Sequence, residues 1–75
     1  MTETEQQLAT LLARIVPLPA DFDAQSDLID GLAMESMQVM EFVMEAEDHF
    51  DVAIAQDKLA DVRNIAQLDV IIEQL

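Results

Sequence analysis

Residues 35–50 read ESMQVMEFVMEAEDHF, and this stretch decides the fold. A helix turns by about 100° per residue, so apolar residues three and four apart fall on one side. That side contains Val39, Phe42, Val43, Ala46 and Phe50. The opposite side contains Gln38, Glu41, Glu45, Asp48 and His49. The pattern predicts an amphipathic helix over Ser36–Phe50 whose apolar side packs into the core.

Three methionines form a separate stripe beside the core side: Met37, Met40 and Met44. Their spacing is compatible with two interpretations, a wider core or an adaptable apolar surface for a partner. From residue 35 to residue 51 the chain has six carboxylates and no lysine or arginine, so ion pairs within the helix do not explain the acids. The acids form either a solvated side or a surface for basic partners, and the absence of lysine and arginine fits the second interpretation better. Glu47 falls at the border between the stripe and the core.

Ser36 begins this helix, and its position has two interpretations. A serine that opens a helix is commonly an N-cap. A phosphodiester on the hydroxyl would also be favourable, because the free N–H groups and the helix dipole attract an anion. A Ser-His-acid catalytic site is excluded, since His49 is the one histidine and lies far along the same helix. We expect His49 to be exposed.

The N-terminal part of the chain predicts one helix. Thr2 and Glu5 have the spacing of a capping box. Apolar residues then follow at helical spacing: Leu8, Leu11, Leu12 and Ile15. We expect Pro17 and Pro19 to close this helix, because proline cannot continue it.

A long connection over residues 17–34 follows, and its predicted core anchors are Phe22, Leu28, Ile29 and Leu32. Its acids do not match a calcium loop. If the loop began at Asp21, the glycine position would hold Ser26 and the final glutamate position would hold Leu32. Gly31, the only glycine, predicts a tight turn that directs Leu32 inward.

The C-terminal part predicts two more helices. Residues 57–61 favour a short helical turn, and Asn64, with Gln67 three residues later, has the spacing that opens a last helix. The apolar positions of that helix are Ile65, Leu68, Ile71, Ile72 and Leu75. The fold class is therefore all-α, a four-helix bundle with three longer helices and one short helix, and residues 1–75 form one domain.

Composition narrows the class of function. The formal net charge is −13, which argues against nucleic-acid binding and favours partners with basic patches; the alternative is that the charge serves solubility alone. There is no cysteine, which excludes disulfides and thiolate chemistry. The N-terminus is acidic, unlike a signal peptide, and no apolar run is long enough to span a membrane. We expect a cytoplasmic monomer.

Several motifs resemble the acyl carrier protein family. They are Asp27–Leu32, Glu35-Ser36-Met37, residues 43–51 and Ile54. The family signature is Asp-Ser-Leu, followed by a helix that ends in an acidic run, a phenylalanine and a β-branched residue. The resemblance covers about residues 26–75, and the first helix agrees in pattern only. The chain departs from the signature at four positions: Glu35, Met37, Ala55 (where proline is common) and Gly31, which lies five residues before the serine.

The resemblance implies a stand-alone acyl carrier protein that catalyses nothing itself. A phosphopantetheinyl transferase would move 4'-phosphopantetheine from coenzyme A to Ser36, and the arm would hold acyl or polyketide intermediates of fatty-acid or polyketide synthesis as thioesters. Partner enzymes such as a ligase, ketosynthase or acyltransferase would dock on the second helix. The implied contact residues are Glu35, Met37, Met40, Glu41, Met44, Glu47 and Asp48.

Two alternatives to this function stay open. The first is an aminoacyl or peptidyl carrier of a specialised pathway, which the departures from the signature favour. The second is an acidic helical adaptor in which Ser36 is unmodified.

Overall fold

The computed structural model describes residues 1–75 and contains four helices. They are α1 (Glu3–Leu12), α2 (Ser36–Phe50), α3 (Gln56–Leu59) and α4 (Ile65–Glu73). The predicted all-α class, with three longer helices and one short helix, is confirmed. Helix α1 packs against both α2 and α4. None of the four helices combines the length and the apolar character that crossing a bilayer requires.

Helix α1 begins at the predicted capping box. The Thr2 N–H donates to Glu5 Oε1 at 2.8 Å, and the Glu5 N–H donates to Thr2 Oγ1 at 3.0 Å. The helix ends at Leu12, so the prediction that Pro17 and Pro19 close it is wrong. The Ile15 N–H donates to the Leu12 carbonyl three residues back, which tightens the chain into a turn before the prolines.

Helix α4 begins at the predicted N-cap but not with a full capping box. Asn64 Oδ1 accepts from the Gln67 N–H at 2.9 Å. Gln67 Oε1 in turn accepts from the Arg63 N–H at 2.6 Å, not from Asn64. At the other end, the Leu75 N–H bonds the Ile72 carbonyl three residues back. This tighter turn takes Leu75 off the helical period, and its side chain is exposed, so the predicted core position of Leu75 is wrong.

The core is one cluster of buried apolar side chains. Its members are Leu8, Leu11, Leu12, Val16, Leu28, Met34, Phe42, Val43, Ala46, Ile54, Val62, Ile65 and Leu68. The predicted core side of α2 is confirmed, since Phe42, Val43 and Ala46 are buried and Val39 and Phe50 pack half-buried against them. This packing turns the other sides of α2 outward.

The connection before α2 uses three of its four predicted anchors. Leu28 is buried, and Phe22 and Leu32 are half-buried against the core. The prediction for Ile29 is wrong, because its side chain is exposed. The Ile29 N–H donates to Asp27 Oδ1 at 2.9 Å, forming a local turn that directs Leu28 inward and Ile29 outward.

Gly31 closes the turn that brings the chain back towards α2. Its N–H donates to the Asp27 carbonyl oxygen at 2.8 Å. A Cβ at this position would lie 2.5 Å from that same oxygen. Glycine is needed here because the backbone approaches closely, not because φ is positive.

A buried carboxylate, not anticipated from the sequence, joins α4 to the start of α1. Asp69 Oδ2 accepts from Thr2 Oγ1 at 3.0 Å, whereas the buried Oδ1 has no hydrogen-bond partner. Burial raises the pKa of Asp69 above its ordinary value, and the charges of Glu5 and Glu73 raise it further, against the opposing Thr2 hydrogen bond. Glu73 also accepts from Thr4 Oγ1 at 2.9 Å. The helix contact thus contains a carboxylate that is costly to ionise.

We expect Asp69→Asn to raise the free energy of unfolding near neutral pH by about 1 kcal/mol, since a buried unsatisfied polar group costs roughly 1–3 kcal/mol. Asparagine keeps an acceptor for Thr2 and offers an N–H towards Glu73. Because the folded-state pKa of Asp69 is raised, its destabilising effect grows as the pH rises from the ordinary aspartate value of about 3.9 through the folded-state value. Urea denaturation across that pH range measures the difference.

The control is Asp21→Asn, which makes the same charge change at an exposed position. It should change stability by less than about 0.5 kcal/mol. An Asp69→Asn gain of equal size at low and neutral pH would contradict the assignment of this cost to ionised Asp69.

Candidate functional site

Ser36 is the first residue of α2, and its side chain is exposed. Of the two interpretations of Ser36, the N-cap is wrong, because Glu35 occupies that position with extended backbone angles. The Glu35 N–H donates to Gln38 Oε1 at 2.9 Å, and the Glu35 carbonyl accepts from the Val39 N–H at 3.0 Å. These bonds fix the helix start at Glu35, and the Ser36 hydroxyl makes no hydrogen bond within the chain.

The first turn of α2 suits an anion. No carbonyl of the chain accepts from the N–H groups of Ser36 and Met37, as is usual at a helix start. The residues of this turn include no acid, whereas the first turn of α1 contains Glu3 and Glu5. The helix dipole therefore acts on a first turn without acids beside a free hydroxyl, and one carboxylate, that of Glu35, stands next to this turn at the N-cap.

The segment before Ser36 is anchored in the core. Met34 and Leu28 are both buried, and the Met34 N–H donates to the Leu28 carbonyl at 3.2 Å. Between Gly31 and Met34 the chain passes through Ala33, whose φ of 56° lies in the left-handed region. Met34 thus fixes the backbone two residues before the serine.

Arg63 ties this segment to the chain before α4. The Arg63 carbonyl accepts from the Leu28 N–H at 2.8 Å, and Arg63 Nη2 lies 2.9 Å from Asp27 Oδ2 and 3.4 Å from Asp30 Oδ2. The Asp30 N–H, with the Ile29 N–H and the Arg63 guanidinium, holds the pKa of Asp27 below its ordinary value against the opposing effect of desolvation. Arg63, one of the three basic residues of the chain, therefore holds the segment that leads to Ser36 in place.

The methionine stripe lies on the surface. Met37 is 81% exposed, Met40 45% and Met44 63%, so the interpretation that the stripe widens the core is wrong. Together with Ser36 and nearby acids the methionines line a shallow, open depression, here called the α2 depression. Its residues are Glu35, Ser36, Met37, Gln38, Met40, Glu41, Met44, Glu45 and Asp48.

The α2 depression contains most of the predicted contact residues. Those it brings together with Ser36 are Glu35, Met37, Met40, Glu41, Met44 and Asp48. It also includes Gln38 and Glu45, which were predicted to lie on the side opposite the core but not to be contact residues. The sequence contained a signal for each of these two residues. Glutamine at the third helical position is a capping-box residue and so lies near the helix start, and Glu45 follows Glu41 by one helical turn and so lies on the same side.

Glu47, the remaining predicted contact residue, does not line the α2 depression. Its side chain is half-buried, and Oε2 accepts from the Ile54 N–H at 2.8 Å. This bond joins the end of α2 to the segment that follows Asp51, whose left-handed backbone (φ 55°) ends the helix. The geometry assigns Glu47 a role in holding the fold.

His49 is exposed, as predicted. Its Nε2 lies 2.9 Å from Gln7 Oε1, and its ring contacts Phe50 edge to face at 4.8 Å between centroids. The contact with Gln7 places the end of α2 beside the middle of α1, so His49 is at the opposite end of α2 from Ser36. No group of three His, Cys, Asp or Glu side chains is arranged to bind a metal.

Glu47 and Glu45 form a matched pair for separating structure from surface. We expect Glu47→Ala to lower the free energy of unfolding by about 1–2 kcal/mol, because the Ile54 N–H loses its acceptor. Glu45→Ala should change it by less than about 0.5 kcal/mol, since Glu45 is exposed. Thermal or urea unfolding of both variants measures this, and equal losses would show that the Glu47 hydrogen bond does not stabilise the fold.

Comparisons with known proteins agree with this geometry. Residues 6–68 match the family described as "Phosphopantetheine attachment site". A "Probable acyl carrier protein" of Caulobacter vibrioides is 29% identical over 70 residues, covering 93% of this chain and 81% of that protein. The "Acyl carrier protein" of Amoebophilus asiaticus is 23% identical over 69 residues, covering 91% and 86%.

The fold has the same relatives. The structure of acyl carrier protein from Enterococcus faecalis superposes with a TM-score of 0.78 at 29% identity, and the match covers 100% of both chains. Proteins of this kind are carriers and not enzymes, and their prosthetic group is phosphopantetheine. The family match thus favours the carrier over the unmodified adaptor. The chain belongs to the acyl carrier protein family, whose domain contains the phosphopantetheine attachment site.

Proposed function

We propose that this protein carries acyl groups as thioesters on a 4'-phosphopantetheine group attached to Ser36. The observation that carries the proposal is the exposed Ser36 hydroxyl, which begins α2 and makes no hydrogen bond within the chain. Ser26 is the only other serine. It is half-buried, and its Oγ accepts from the Asp23 N–H at 3.0 Å. Ser36 is therefore the better attachment site for the phosphopantetheine group.

The residues present fit the group. The Ser36 hydroxyl supplies the oxygen of a phosphodiester, and the free N–H groups of the first turn stabilise the negative charge that such an ester brings. The buried Met34 holds the backbone on which that oxygen is presented. When bound, the group supplies a terminal thiol for thioester formation, which the chain lacks because it has no cysteine.

The α2 depression is the proposed docking surface for the phosphopantetheinyl transferase and for enzymes that load and process the acyl group. None of its residues is basic, and four are acids: Glu35, Glu41, Glu45 and Asp48. Such a field attracts partners with basic patches and speeds their encounter. The three methionines supply adaptable apolar contact area between the acids.

The whole chain forms the proposed carrier. We assign residues 1–75 to one carrier domain, since α1, α2 and α4 contribute to one core cluster. Glu47 takes no part in the proposed docking surface, because its carboxylate is engaged with Ile54. The monomeric state and the cytoplasmic location stay predictions.

Ser36→Ala tests the attachment site. With coenzyme A and a phosphopantetheinyl transferase, the wild-type protein should gain one phosphopantetheine group by intact mass, and Ser36→Ala should gain none. Its free energy of unfolding should change by less than about 0.5 kcal/mol, because Ser36 is not the N-cap. Circular dichroism melts check that the variant is folded.

Ser26→Ala is the matched control and should still gain the group. An adduct that persists in Ser36→Ala, or a wild-type protein that gains none, would refute the assignment.

A further inference from the structure

The five methionines of this chain divide sharply by exposure. Met37, Met40 and Met44 are exposed and share the α2 depression with Ser36. Met34 is 3% exposed and lies in the core. Met1 is exposed at the start of the chain, next to α1. Solvent-borne oxidants therefore reach the three thioethers of the depression and not the one that anchors the Ser36 segment.

We infer that Met37, Met40 and Met44 form a reversible oxidation site, at which conversion to methionine sulfoxide blocks partner docking without unfolding the protein. The inference rests on the proposed function, because it needs the α2 depression to be a docking surface. It adds a chemical switch to that surface, with peroxide as the oxidant.

The chemistry balances with one peroxide for each sulfur. A lone pair on the thioether sulfur attacks one oxygen of hydrogen peroxide, the O–O bond breaks, and the other oxygen leaves as water after proton transfer. The sulfur gains one S–O bond and is oxidised by two electrons, while the peroxide is reduced by two. Methionine sulfoxide reductases return the sulfoxide to the thioether: a dithiol reductant supplies two electrons and two protons, the oxygen leaves as water, and the dithiol is oxidised to a disulfide.

The surroundings make a sulfoxide hard to bury here. A sulfoxide oxygen accepts hydrogen bonds and needs a donor when it leaves water. The neighbouring Glu35, Glu41, Glu45 and Asp48 are acceptors when ionised and offer no proton. The chain itself supplies no donor, and the basic groups of a partner pair with the four carboxylates. An oxidised stripe would therefore keep its water, and the apolar contact with the partner would be lost.

The fold should tolerate the same change. None of the three side chains belongs to the core cluster or packs half-buried against it. The side of α2 that meets the rest of the protein contains Phe42, Val43 and Ala46, which peroxide does not oxidise. Oxidation should therefore act on recognition and leave helix content unchanged.

The test uses the full chain, hydrogen peroxide and a phosphopantetheinyl transferase with coenzyme A. After peroxide is removed, peptide mass mapping should show oxygen on Met37, Met40 and Met44 and none on Met34. The transfer rate to Ser36 should fall at least about tenfold, equivalent to about 1.4 kcal/mol, with an unchanged circular dichroism spectrum. Treatment with both sulfoxide reductases and dithiothreitol as the reductant should restore the rate.

A variant with Met37→Leu, Met40→Leu and Met44→Leu is the control for Met1 and Met34. Whatever its own rate, that rate should be the same before and after peroxide. Oxidised wild-type protein that is loaded as fast as untreated protein would overturn the inference and leave the proposed function intact. Oxidation of Met34 with loss of helix would also overturn it. Untreated protein that is never loaded would instead refute the proposed function, and the inference with it.

Discussion

The burial of one side of α2 is the constraint on which the rest of the molecule depends. Phe42, Val43 and Ala46 are at most 2% exposed, and burying a side chain of the size of Phe or Val contributes roughly 1.5–3 kcal/mol. An exposed ion pair contributes about 0–1 kcal/mol. Apolar packing therefore fixes the rotation of α2 about its axis. The acids and methionines of α2 are left on the surface, and Ser36 is exposed at the N-terminal end of this helix.

How far the sequence predicts this structure depends on whether a residue's position is set locally. The core side of α2 follows from helical periodicity, and the Thr2 and Asn64 caps follow from local hydrogen-bond chemistry. Ile29 and Leu75 were misplaced because turns tighter than an α-helix move side chains off that period. The burial of Asp69 depends on a contact with Thr2, 67 positions earlier, which no local pattern contains.

The candidate site divides in the same way. The Ser36 position and the outward acids follow from residue types and spacing, and the exposure of the methionines needed the packing of α2 to be known. The N-cap was misassigned because Gln38 and Val39 bond to Glu35, and serine was only one of two residues able to begin the helix. Glu47 differs from Glu45 in being half-buried and in accepting from the Ile54 N–H, which lies beyond the helix.

The most direct measurement of the central claim is the association rate of a phosphopantetheinyl transferase with two charge-reversal variants. Glu41→Lys changes the α2 depression, whereas Glu3→Lys makes the same net-charge change on α1, outside that depression. We expect Glu41→Lys to slow association about tenfold at low salt and Glu3→Lys to slow it far less, with the difference shrinking as salt increases. Equal slowing by both variants would show that net charge, and not the surface beside Ser36, governs recognition.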